Sequence, residues 1–229
     1  MKRHGRAYVE ASKSVDKTKA YTPEEAVKLV KSLSKRKFDE TVEVALNLNI
    51  DTTKSDQQVR SSFTLPHGTG KTKRILVVTK TKAEEAKKAG ADFVGAEDMI
   101  EKISKENWFD FDSIVATPEM MVELGKIGKV LGPKGLMPNP KIGTVTTNVE
   151  AAIENIKKGM IEYRADSNGN VHALIGKVSF SEKDLEENLV SFVKDVLKNK
   201  PTGVKGVFVK NISISSTMGP GVKLDITSF

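Results

Sequence analysis

The chain of 229 residues contains no cysteine. Disulfides, thiol catalysis and cysteine-ligated metal sites are therefore excluded. Its three histidines, His4, His67 and His172, stand far apart in sequence, which argues against a histidine-rich metal site. No apolar run approaches the ~18 residues that a membrane span requires. The opening MKRHGRAYVEASK has the charge of a secretory n-region but no apolar stretch behind it. No signal peptide is expected, and the expected compartment is cytoplasmic. Enzyme signatures are missing too. Neither a G-x-S-x-G elbow nor an H-E-x-x-H occurs. Gly70-Lys71-Thr72 resembles the end of a phosphate loop, but Leu65 stands where that motif starts on glycine, and a strand rather than a helix follows. No Gly-x-Gly-x-x-Gly follows the first strand of the middle region, so its α/β pattern brings no dinucleotide site with it. Asp110 and Asp112 in WFDFDSI read as polar flanks of a strand start rather than as a catalytic pair. No cofactor or metal is expected.

What the chain does have is basic charge, concentrated at one end. Residues 1–37 hold eleven Lys/Arg against four acids, which is the entire formal charge of +7. A basic arm on a neutral body suggests an anionic partner, most often nucleic acid; a solvated, soluble surface explains the same count. The length suits two ordinary domains.

The patterning predicts one domain inserted into another. Thr22-Pro23-Glu24-Glu25 is a helix start with a capping threonine, and an apolar stripe from Ala26 to Leu33 follows. Residues 41–50, TVEVALNLNI, alternate as a strand with one wet face, the habit of an antiparallel sheet. Val59, Phe63 and Leu65 continue the style. It returns at Ile161–Asp166, at Ile212 and Ile214 among serines, and at Val222, Leu224 and Ile226, with a helix over 181–199 between. The middle differs. ILVV at 75–78 suits a strand buried on both faces, followed by a capping box at Thr81–Glu84 and a helix ending at Gly90. Strand candidates at 92–94, 113–116 and 144–146 alternate with helices at 97–105, after Thr117-Pro118, and at 148–158. This is the signature of βαβ units and a mostly parallel sheet. The expected architecture is an α+β outer domain with an antiparallel sheet, residues 1–66 plus 159–229. It is interrupted by a Rossmann-like α/β domain, residues 67–158. Glycines at both crossings suggest a hinge.

Three segments carry candidate function. Lys35-Arg36-Lys37-Phe38-Asp39-Glu40-Thr41 puts three cations at a helix end, beside an aromatic and just before a strand. They fit a phosphate-binding cluster with a ring against sugar or base, and equally a favourable helix end with a core phenylalanine. Ser215–Gly221, SSTMGPG, places hydroxyls, a thioether and two glycines between two strands. A tight turn explains Gly and Pro but not a methionine at the tip; small hydroxyls and bare backbone suit a shallow RNA minor groove. Gly125–Gly143 has five Gly, three Pro and four Lys, and reads either as a functional loop or as a solvated connector.

Seven motifs then occur together: KFDETVEV (37–44), LPHGTGK (65–71), AGADFVG (89–95), FDSIVATPEMM (111–121), LGPKGLMPNPK (131–141), GTVT (143–146) and STMGP (216–220). With them the chain resembles, from about Arg3 to Gly221, the bacterial family of large-subunit ribosomal protein number one, the lateral-stalk proteins. The resemblance implies a split βαβ-like α+β domain interrupted by a three-layer Rossmann-like domain, and a non-enzymatic, cytoplasmic RNA-binding protein, a monomer when free. It implies binding to the stalk helices of large-subunit rRNA, assistance in releasing deacylated exit-site tRNA, and repression of its own operon mRNA. Carried over residue by residue, the RNA-binding set is Lys37, Phe38, Thr41, Glu43, Asp166, His172, Ser216, Thr217, Met218 and Gly219. Ser216 stands where threonine is usual, keeping a hydroxyl, and Ser167 where lysine is common, removing a phosphate contact. The rival from another class is a small-molecule enzyme whose inner domain binds a nucleotide, and a third reading is a nucleic-acid-binding regulator outside the ribosome.

Overall fold

The computed structural model describes residues 5–229. Residues 1–4, with Lys2, Arg3 and His4 of the basic arm, lie outside the described residues. The chain divides into two compact units, one running up to Gly70 and resuming over Ile161–Phe229, the other Lys71–Met160. The outer unit starts with α1 (Arg6–Lys13), α2 (Pro23–Leu33), β1 (Thr41–Leu48) and β2 (Arg60–Thr64). The inner stretch carries β3 (Ile75–Val78), α3 (Ala83–Lys88), β4 (Phe93–Gly95), α4 (Glu97–Glu106), β5 (Ser113–Ala116), α5 (Met121–Lys126), α6 (Gly128–Leu131) and α7 (Val149–Lys157). Then come β6 (Met160–Arg164), β7 (Asn170–Lys177), α8 (Glu182–Lys198), β8 (Val209–Ser216) and β9 (Val222–Lys223).

The outer unit is built on a four-stranded antiparallel sheet in the order β7-β1-β8-β9. Val42, Val44, Leu46 and Leu48 of β1 face a core shared with Ile212 and Ile214 of β8 and with Leu185, Leu189 and Phe192 of α8. Two helices close this face because each opens on a good cap. Thr22 accepts the Glu25 N–H at 3.3 Å and Ser181 accepts the Asp184 N–H at 3.1 Å. β2 does not join the main sheet; it pairs with β6 as a separate two-stranded sheet. Tyr163 of β6 is buried, and its hydroxyl donates to Asp195 Oδ2 of α8 at 2.8 Å. Burial, reinforced by that carboxylate, pushes the phenol up to about 12.

The inner unit has a parallel sheet in the order β4-β3-β5. Its faces are both covered. Leu76 and Val78 pack with α4, α5 and α6 through Ile103, Leu124 and Leu131. Ile75 and Val77 pack with α3 and α7 through Ala86, Ile153 and Ile156. All four residues of β3 are fully buried, which is why the segment reads as a continuous apolar run.

Local expectations are corrected at several points. The 144–146 segment contributes only one parallel bridge, Ala116 to Val145. The cap before α3 is not Thr81: Thr79 Oγ1 accepts the Lys82 N–H at 3.2 Å, because the turn closes directly on the strand end. The last strand stops at Lys223, where the Asp225 side chain takes the Thr227 N–H and turns the chain into a short 3₁₀ segment. The 125–143 segment is no long loop. α6 lies inside it, and Ile127, Leu131 and Ile142 are buried.

Candidate nucleic-acid interface

The inward set of β1 is apolar, so its outward set is Thr41, Glu43, Ala45 and Asn47. Strand register decides what stands beside them. On one side Glu43 faces Leu174, Ala45 faces His172 and Asn47 faces Asn170. On the other, Glu43 faces Ser215, Ala45 faces Ser213 and Asn47 faces Asn211. The open face of the sheet is thus a field of short polar side chains around an exposed histidine. Asn47 Nδ2 donates to Asn170 Oδ1 at 2.7 Å across the strands. Such a surface lets another backbone approach closely and offers donors and acceptors for ribose hydroxyls.

One end of this face is organised by Glu40, which stands in the 35–41 segment but has no role assigned from sequence. It is 1 % exposed, and its carboxylate accepts from Ser34 Oγ at 2.7 Å and from the Met218 N–H at 3.0 Å. Burial pushes this carboxyl up. Hydrogen bonds from Ser34, the Met218 N–H and the Ser216 hydroxyl, with the charge of Arg36, outweigh it and leave the group below its ordinary value. An ionised carboxylate therefore clamps the 216–219 turn to the segment entering β1. Thr217 completes the clamp. Its Oγ1 accepts the Thr41 N–H at 2.9 Å, and its own N–H donates to Thr41 O at 3.0 Å. A Cβ at Gly219 would meet Ser216 Oγ at 2.6 Å, so a side chain there would displace the hydroxyl that serves Glu40.

The clamp holds its apolar tips outward. Met218 is 50 % exposed and Phe38 is 54 % exposed. Lys177 Nζ, which donates to Asp39 O at 3.2 Å and Thr41 Oγ1 at 2.9 Å, and the Asp39 carboxylate, which accepts from the Ser179 N–H and hydroxyl, fix the chain just after Phe38. Among the described residues no ion pair engages Lys37.

The structure thus brings Thr41, Glu43, His172, Thr217, Met218 and Gly219 onto one face and its edge, with Phe38 and Lys37 entering it. Two of the expected residues play other parts. Ser216 is buried at 4 % and its hydroxyl serves Glu40, so it supports the turn from within. Asp166 lies at the far end of β1, about 23 Å of strand away. Its carboxylate accepts the N–H groups of Asn168 and Asn170, each at 2.8 Å, which shapes the turn into β7. The Asn170 N–H first, then the Asn170 amide, the Asn168 N–H and the charge of His172 hold its carboxyl below the ordinary range, outweighing the desolvation that raises it.

The enzyme-like motifs have structural partners. Asp112 accepts the Arg74 N–H at 2.9 Å, and Asp110 accepts Trp108 Nε1 at 2.8 Å. His67 Nε2 lies 2.6 Å from Glu187 Oε2. Gly70, at φ +69°, leads toward β3 and not into a helix. No metal-binding cluster of His, Asp or Glu occurs among the described residues.

Comparison with known proteins places the chain in a family. The Ribosomal protein L1p/L10e family matches residues 30–220. The chain is 60 % identical over 212 residues to the large ribosomal subunit protein uL1 of Mesoplasma florum, covering 93 % of each chain. It is 56 % identical to the uL1 of Mycoplasma capricolum, over 98 % of this chain and 100 % of that one. The uL1 of Thermosipho melanesiensis is also 56 % identical, over 98 % and 97 %.

Proposed function

The chain belongs to the Ribosomal protein L1p/L10e family, and from that premise we propose that its outer unit grips the stalk helices of large-subunit rRNA through the Glu40-clamped patch. Its class is a structural constituent of the large ribosomal subunit, an RNA-binding protein and not an enzyme. Its place is the ribosome, in the cytoplasm.

The proposed division of labour follows from the chemistry. Lys37 and the basic arm attract phosphates without regard to sequence, through counterion release. Thr41, Thr217 and the bare backbone at Gly219 approach ribose hydroxyls in a shallow minor groove, with Phe38 and Met218 packing on sugar edges. Glu43 and His172 continue this contact along the sheet face, and Asp166 acts by shaping its far turn. The observation that carries the reading is the clamp itself: a buried carboxylate holds a turn whose methionine side chain stands half exposed in solvent. A core-forming role would bury it.

The same patch binds any RNA with the same local shape, which is the basis for proposing repression of the protein's own operon mRNA. Assistance in moving deacylated tRNA at the exit site is proposed for the rRNA-bound protein. The free protein is taken to be a monomer. Filter binding of a stalk rRNA fragment over a series of salt concentrations tests the reading. Nanomolar-range binding at low salt, weakened by Met218→Ala, supports it; no binding at low salt overturns it. Competition by the operon leader RNA for the same site tests repression, and failure to compete removes that part.

A further inference from the structure

A pocket of 260 Å³ opens beside the Met218–Gly219 turn, between α1 and the end of α2. Ala7 and Ala11 of α1, Leu33 of α2 and Met218 supply its apolar walls. Lys35 and Arg36 line it on the side where the chain leaves α2, and Glu10 contributes a carboxylate from α1. Glu40 also lines it, but both of its oxygens are engaged, by Ser34 and by the Met218 N–H. No ion pair or hydrogen bond engages the Glu10 carboxylate among the described residues. α1 buries none of its residues, so its inner side is not committed to a core.

These features match one ligand. Flat apolar walls accept the face of a base. A free carboxylate accepts from the amino or imino donors of a base edge, and cations at the margin accept the flanking phosphate. Sequence-specific RNA recognition works largely on bases splayed out of a helix, and this pocket adjoins the proposed RNA patch. We propose that it receives a single unstacked, donor-bearing base of the bound RNA, with its edge on Glu10 and its phosphate on Lys35 and Arg36. The inference rests on the RNA-binding role proposed above and adds to it a base-specific contact on Glu10, Lys35 and Arg36, beside the patch and sharing Met218 with it.

The test measures binding of the stalk rRNA fragment by the full chain at several salt concentrations. Ala11→Phe fills the pocket, and Ala7→Phe, one turn earlier on the same helix face, is a second filling variant. Each is expected to weaken binding about tenfold, the scale of one lost base contact, with the thermal midpoint and the salt slope unchanged. Glu10→Ala gives a test by sign. Removing an acid from a basic arm strengthens binding if charge alone matters, whereas loss of the only base-edge acceptor that Glu10 supplies weakens it. Weaker binding by Glu10→Ala supports the pocket; equal or stronger binding overturns it. Wild-type binding that both filling variants retain in full overturns the pocket and leaves the patch standing. Failure of the wild-type protein to bind overturns both.

Discussion

The sheets of the two units differ in how many faces they cover. In the inner unit, helices pack on both sides of β3, and no side chain of that strand meets solvent. In the outer unit, α2 and α8 cover one face of the β7-β1-β8-β9 sheet, and the other face keeps Glu43, Asn47, His172 and Ser213 in or near water. A parallel sheet needs crossover helices, and these occupy its faces. An antiparallel sheet needs none, so a face remains for a large, flat, charged partner. The difference leaves the outer unit with an open polar sheet face, which is where the RNA surface is proposed.

The sharpest way to break the comparison is to place the same charge on each sheet. Val77→Asp in β3 buries an unpaired carboxylate and should cost about 4 kcal/mol or more, measured by urea unfolding. Ala45→Asp, on the open face between His172 and Ser213, should cost about 0.5 kcal/mol and still weaken RNA binding by charge repulsion. Equal destabilisation at the two positions would mean that the outer face is covered after all.

Next in size is the clamp. Glu40→Ala strands the Met218 N–H and the hydroxyls of Ser34 and Ser216, and should cost about 2–3 kcal/mol together with much of the RNA affinity. The pH dependence follows from the sign of the shift. The folded group lies below its unfolded value, so its contribution is complete above about pH 4.3 and disappears as the pH falls through the lower, folded value. Acid unfolding of wild type and Glu40→Gln should therefore converge below that range; a constant gap down to the acid limit would show that the carboxylate is not the titrating group.

Smaller effects separate the turn's two side chains. Met218→Ala should weaken RNA binding by about 1–3 kcal/mol with stability nearly unchanged, because the side chain is half exposed. Thr217→Ala should lose a similar affinity and also about 1 kcal/mol of stability, since its hydroxyl bonds to the Thr41 backbone. Identical melting curves for the two variants would contradict the hydrogen bonding. The smallest effect is that of Lys37→Ala, which should reduce the salt slope by about one ion for every RNA alike. A loss confined to one RNA would make Lys37 a specificity residue.

Much of this was legible locally. The alternation in TVEVALNLNI separates wet from buried side chains without any partner strand. ILVV announces its double burial, and Thr22, Ser181 and Asn148 mark helix starts that the side chains do cap. The candidate site was legible where a residue is costly without a function, as for Met218 at a turn tip. Glu40 was not, because an acid beside a strand start resembles any surface acid until its burial is known. The burial of Ser216 against Glu40 was not legible either, because a hydroxyl carries no sign of which way it points.

Short-range pattern and composition were enough to settle the basic arm, the absence of catalytic signatures, the two styles of strand and the membership of the hydroxyl-methionine-glycine turn. These depend on side-chain type and spacing along a few residues. Tertiary structure alone decided that Thr41 meets Thr217 across 176 residues, that β2 leaves the main sheet for β6, and that Glu40 is dry and ionised. Register and burial depend on both members of a distant pair at once, and no local window contains both.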